Sequence, residues 1–128
     1  MSVREITLEW VAKAEEDAAV SERESRVRKQ PSPGAVCYHA QQCIEKYLKA
    51  ILQEQARPIP KIHDLASLSE QCQFNPICVP VERDGLVRLT RFATRFRYPG
   101  EAATGEDAKL AIALMRRYRA ALREFLCL

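Results

Sequence analysis

The run Cys37-Tyr38-His39-Ala40-Gln41-Gln42-Cys43-Ile44-Glu45-Lys46-Tyr47-Leu48-Lys49-Ala50-Ile51-Leu52 decides the architecture of this chain. Neither proline nor glycine interrupts it. At about 100° per residue, Val36, Cys37, Ala40, Ile44, Tyr47, Leu48 and Ile51 gather on one apolar arc of a helix. Tyr38, Gln42, Glu45 and Lys49 fall on the opposite, polar side. An arc this wide has to be covered by other helices, so the rest of the chain is expected to pack around this rod. Along one border stand His39, Gln42, Cys43 and Lys46, which bring a donor and a cation to the same groove from successive turns. That border is either a candidate site or a solvated flank.

N-terminal to the rod, Ser2 followed by Glu5 three positions later forms a capping-box pattern. It opens a helix with Val3, Ile6, Trp10, Ala14 and Asp17 on one face. Asp17 either marks where that stripe turns towards Ala18 and Ser21, or is a partly buried carboxylate that needs a cation. If helices one and two are antiparallel neighbours, Lys46 is placed to be that cation. The helix fades near Ser25, and residues 23–34 form a basic connection broken by Pro31-Ser32-Pro33-Gly34.

C-terminal to the rod, Pro58 and Pro60 impose an irregular link. His63-Asp64-Leu65 then begins a short amphipathic segment, Leu65, Leu68 and Cys72, with His63 or Asp64 placed to cap it. A loop is expected over 74–80, with Pro80 in the first turn of the next helix. That helix runs to about Arg97. Its apolar face is Val81, Leu89, Phe92, Ala93 and Phe96, while Arg88, Arg91 and Arg95 stack on another face. With Arg97 they form a set that no acid interrupts between Leu86 and Gly100, and an anionic partner would relieve their mutual repulsion. Tyr98-Pro99-Gly100 ends the helix. Thr104 with Asp107 opens the last one, which carries Ala108, Ala111, Met115, Tyr118, Leu122 and Phe125 on one side. Arg116, Arg117, Arg119 and Arg123 suit the negative end of its dipole.

No segment alternates with period two and no internal repeat is visible. The expected fold is all-α: an up-and-down four-helix bundle with an additional short helix, in a single domain over residues 1–128. That length is enough for a core without staples. The five cysteines, at 37, 43, 72, 78 and 127, make no CxxC pair, and with two histidines there is no metal-ligand spacing. They read as reduced, small apolar fillers in a cytoplasmic protein. No membrane-spanning run or signal-peptide core occurs. The net charge of +3 is too mild to argue for nucleic acid by itself, so the placement of the basic residues carries that argument.

Several of these residues, taken in order, resemble the HEPN domain family. They are Trp10 with Ala14 and Asp17, the Cys37-Tyr38-His39-Ala40-Gln41-Gln42 run leading to Glu45-Lys46-Tyr47-Leu48-Lys49-Ala50, then His63-Asp64-Leu65, then Arg97-Tyr98-Pro99. The resemblance covers nearly the whole chain. It implies a short helical bundle, commonly a homodimer, often working beside a small nucleotidyltransferase-fold protein in prokaryotic toxin–antitoxin or defence pairs. Many members are similar in being metal-independent ribonucleases, with a histidine that follows an arginine after four to six residues. Here the positions counted from Arg91, Arg95 or Arg97 hold no histidine. The arginine-tyrosine-proline pattern instead looks like a subfamily that binds nucleotide or RNA.

Chemistry points the same way. Guanidinium forks pair with phosphate oxygens, and an aromatic beside them can stack a base. The expected binding residues are Arg95, Arg97, Tyr98, Arg91, Lys46 and His39, with Asp17 and Gln42 supporting the groove; no metal or cofactor is called for. One alternative is a ribonuclease using His39 or His63 with Arg95 or Arg97. The other is a structural scaffold whose arginines and Asp17 serve dimer or partner contacts.

Overall fold

Two reciprocal capping boxes start the first and last helices. Ser2 Oγ accepts from the Glu5 amide at 3.1 Å, and Thr104 Oγ1 accepts from the Asp107 amide at 3.1 Å. A computed structural model of the chain describes residues 1–72 and 81–128. Its helices are α1 (Val3–Ser25), α2 (Pro33–Glu54), α3 (Leu65–Cys72), α4 (Arg83–Arg95) and α5 (Gly105–Phe125), and no strand occurs among the described residues. The expected loop over 74–80 and the placement of Pro80 lie outside those residues.

Two boundaries differ from expectation. Helix α2 begins at Pro33, before Cys37, because Ser32 caps it and proline at the first helical position sacrifices no hydrogen bond. Helix α4 ends at Arg95 rather than Arg97. Beyond it the Glu101 amide reaches back to the Tyr98 carbonyl at 3.3 Å, and Gly100 takes φ +89°, a turn with proline and glycine at its two central positions.

Cross-links give the topology. Ser21 meets Val36, Asp17 meets Lys46, Glu15 meets Tyr47 and Thr7 meets Glu54, so α1 and α2 run antiparallel along their whole length. Glu22 meets Arg116 and Glu15 meets Arg119, so α5 also runs antiparallel to α1. Helix α2 touches all four others. Accordingly Ile44, Tyr47, Leu48, Ile51 and Leu52 are wholly buried, with Leu65 and Leu68 of α3, Leu86 and Leu89 of α4, and Met115, Tyr118 and Leu122 of α5 packed about them.

The expected polar side of α2 is not solvated as a whole. Glu45 and Lys49 are 4% and 7% exposed, because α3 and α4 cover that side as well. On α1 the expected Ala14, Asp17, Ala18 and Ser21 are buried, but the N-terminal half of the stripe differs: Thr7 and Val11 are buried, whereas Val3 is exposed and Ile6 and Trp10 are half-buried. Gly85 lets α4 close on α5, since a Cβ there would lie 1.8 Å from the Tyr118 hydroxyl oxygen. The thiols of Cys37, Cys43 and Cys72 are buried and free, and burial pushes Cys37 and Cys72 up to about 12. Cys127 is exposed. Among the described residues no helix is long and apolar enough to cross a membrane.

Candidate functional site

Between α2 and α4 lies a groove of about 210 Å³ lined by Tyr38, Gln41, Gln42, His63, Thr90, Ala93, Thr94 and Arg97. Two of these, Gln41 and His63, are held by the buried Glu45 carboxylate. Oε1 accepts from Gln41 Nε2 at 3.1 Å and faces His63 Nδ1 at 3.0 Å, while Oε2 accepts from Lys49 Nζ at 3.1 Å. The helix spacing explains part of this: residues 41, 45 and 49 are successive i, i+4 neighbours, so one carboxylate meets an amide above and an ammonium below. A carboxylate this deep needs such partners.

His63 enters from the link before α3. The Gln41 amide holds the His63 carbonyl at 2.9 Å, and Thr90 Oγ1 accepts the Leu65 amide at 3.1 Å, tying the start of α3 to α4. With Nδ1 on Glu45, the ring leaves Nε2 free, and its side chain is 74% exposed. Asp64, not His63, caps α3, accepting the Ser67 amide at 3.1 Å.

Arg97 stands just past the end of α4 with its guanidinium carbon 5.6 Å from the Tyr38 ring centroid, a cation–π arrangement. Among the described residues it pairs with no carboxylate. Tyr38 in turn lies edge-on to His39, with ring centroids 5.2 Å apart. This contact leads to a second cluster. Asp17, only 8% exposed, has Oδ1 at 2.7 Å from His39 Nδ1 and accepts from Lys46 Nζ through Oδ2. Asp17 is therefore the partly buried carboxylate that requires a cation, and Lys46 supplies it while His39 adds a hydrogen-bond contact.

The expected binding residues are thus divided. Arg97 and Gln42 line the α2–α4 groove; His39 and Lys46 are engaged by Asp17 at the α1–α2 seam. Arg95 is occupied by Glu101, with Nε 2.8 Å from Oε2, an acid just beyond the interval free of acids. Arg91 and Tyr98 are exposed and outside the groove lining. Tyr38, Gln41, Glu45, Lys49 and Thr90 were not among the expected binding residues, although the 41, 45, 49 spacing was a usable signal.

The α5 arginines do more than complement a dipole. Arg116 grips both oxygens of Glu22 at 2.7 Å, Arg119 Nε reaches Glu15 at 2.6 Å, and Arg117 reaches Glu82 at 2.9 Å. The Arg119 hydrogen bond holds the Glu15 carboxyl below its ordinary value; burial opposes this and the Tyr47 hydroxyl adds to it. These rungs join α1, α2, α4 and α5 away from the groove and belong to the scaffold.

No curated protein matches the chain. The crystal structure of TT1696 from Thermus thermophilus is similar in fold, with a TM-score of 0.73 and 19% identity over 92% of this chain and 96% of that one. The HEPN domain model matches residues 7–125, which takes in all five helices except the first turn of α1. The chain therefore belongs to the HEPN domain family.

Proposed function

We propose that this chain is a nucleotide- or RNA-binding HEPN module, and that Arg97 holds a ligand phosphate in the α2–α4 groove. One observation carries the reading: an exposed guanidinium, unpaired with any acid among the described residues, lies over an aromatic ring at the rim of a polar groove. Tyr38 offers a stacking surface for a base, and Gln42 and Thr94 offer polar groups to its edge. Arg91 and Tyr98 are outer contacts for a longer strand. The half-buried Asp17–His39–Lys46 cluster, which holds α1 against α2 beside Tyr38, supports the groove rather than the ligand. In this reading the chain is a single cytoplasmic domain of the arginine-tyrosine-proline subfamily. It works as a homodimer beside a small nucleotidyltransferase-fold partner, in a toxin–antitoxin or defence-type pair.

Binding of ATP and of a short single-stranded RNA, followed by titration at several salt concentrations, tests this. Arg97→Ala should weaken binding about tenfold and lower the salt slope by about one. Arg4→Ala, at the far end of α2 where Arg4 pairs with Glu54, is the control and should change neither. Equal affinity of the parent and Arg97→Ala would refute the groove.

A second reading is favoured by His63. Its Nδ1 is anchored on Glu45 and its Nε2 opens on the groove that Arg97 lines, the arrangement of a general base beside a charge-stabilising cation. As a ribonuclease, Nε2 would take the 2′-hydroxyl proton while Arg97 faces the phosphoryl oxygens. RNA cleavage in EDTA that disappears in His63→Ala supports this reading; intact RNA with the parent rejects it.

A further inference from the structure

We propose that the α2–α4 groove reads the base it holds and selects guanine, because the neutral polar groups that line it are left as hydrogen-bond acceptors. The inference rests on the phosphate site of the proposed function and names the base that goes with it.

The selection starts at Glu45. Gln41 Nε2 lies 3.1 Å from Glu45 Oε1 and 2.9 Å from the His63 carbonyl oxygen. Both of these only accept, so the Gln41 amide has one orientation that satisfies it, with its own oxygen turned the other way. That oxygen is 2.8 Å from the Gln42 amide, which has to present its nitrogen there, and the same nitrogen lies 3.5 Å from Glu45 Oε1. Both Gln42 amide protons are thereby directed inwards. Gln42 Oε1 accepts from no donor among the described residues.

Two neighbours follow suit. Thr94 Oγ1 directs its proton to the Thr90 and Arg91 carbonyls, each 3.2 Å away, and keeps its lone pairs for the groove. His63 Nδ1, 3.0 Å from the Glu45 carboxylate, carries the ring proton, so Nε2 of the neutral imidazole is bare. Thr90 is already engaged, donating to the Leu86 carbonyl and accepting from the Leu65 amide. The Tyr38 hydroxyl can donate or accept and does not discriminate, and Arg97 faces the phosphate. Guanine is the base whose pairing edge carries two adjacent donors, N1–H and the N2 amino group. Adenine and cytosine set a bare ring nitrogen beside one amino group, and uracil sets two carbonyl oxygens about one N–H. Each of these turns a lone pair towards acceptors that cannot answer it, which is the costly kind of mismatch.

Calorimetric titration of the full chain with GTP, ITP and ATP, at about pH 8 where an ordinary imidazole is neutral, tests the proposal. ITP keeps N1–H and lacks only the N2 amino group. At about fivefold per hydrogen bond, GTP should bind about fivefold tighter than ITP and about twentyfold tighter than ATP. Gln42 is half-buried and Thr94 exposed, so Gln42→Ala and Thr94→Val should keep the parent's circular dichroism. Each should weaken GTP about fivefold and leave ATP unchanged. A second arm uses a short oligouridylate carrying one guanosine, inosine or adenosine. A guanine preference in the free nucleotides alone, or in the strand alone, supports the selection and identifies the form that is taken. GTP, ITP and ATP bound within about twofold of one another, yet all weakened by Arg97→Ala, keep the phosphate site and overturn the base selection. A preference for GTP that survives both variants overturns it too. A parent that binds none of these ligands overturns the phosphate site and the selection together.

Discussion

Replacing Asp17 by asparagine keeps the side-chain shape but removes the charge that His39 and Lys46 share. The amide oxygen can still accept from Lys46, and its NH₂ then meets His39 Nδ1, which accepts it only in the tautomer with the proton on Nε2. Hydrogen bonds to charged groups contribute about 1.5–3 kcal/mol each, and breaking a buried pair costs about 3–5 kcal/mol. The Asp17 side chain is 11% exposed, but His39 and Lys46 are 29% and 25% exposed and can rehydrate, so the upper figures do not apply. A loss of about 2–3 kcal/mol follows. For 128 residues the unfolding entropy is about 0.27 kcal/mol/K, so the melting temperature should fall by about 7–11 °C. Lys46→Met, which leaves the less exposed Asp17 carboxylate with His39 alone, should lose at least as much, and a double-mutant cycle between the two should show clear coupling. Thermal unfolding followed by circular dichroism is the assay. A melting point for Asp17→Asn within about 2 °C of the parent would make Asp17 an ordinary surface acid.

Acid stability should depend on Glu15. Its folded carboxyl is held low, chiefly by Arg119, so below the ordinary glutamate value near about 4.3 the unfolded chain binds a proton that the folded chain refuses. Stability is therefore present above that value and is lost as pH falls through the folded one; urea melts of Glu15→Gln should show a flatter acid limb than the parent. Gly85→Ala should destabilise by about 1–3 kcal/mol despite alanine's better helix propensity of about 1 kcal/mol, because the new methyl group meets Tyr118 and Leu114. Adding Tyr118→Phe should return part of that loss, and a neutral Gly85→Ala would refute the close approach of α4 to α5.

Much of the bundle was legible in the chain because the signals involved are local. Capping boxes at Ser2 and Thr104, prolines between helices and 3.6-residue apolar spacing act within a few residues of one another, so helix order and type follow from sequence alone. The pairing of Asp17 with Lys46 was legible too, once a short connection made α1 and α2 antiparallel neighbours. Two things needed the tertiary structure. One was which side of α1 is buried: Thr7 and Val11 are inside while Val3 stays outside, since the rotation of a helix is set by the surface it lands on rather than by its own stripe. The other was the site. Glu45 reads as a solvated acid until α3 and α4 cover it, and His63 arrives beside it from 18 residues away. The basic stripe also divided in space: Arg95 turned to Glu101 while Arg97, two residues on, lay over Tyr38. Spacing along a helix specifies which residues can meet within it; only the packing of one helix on another decides which charges are buried, paired or left facing an open groove.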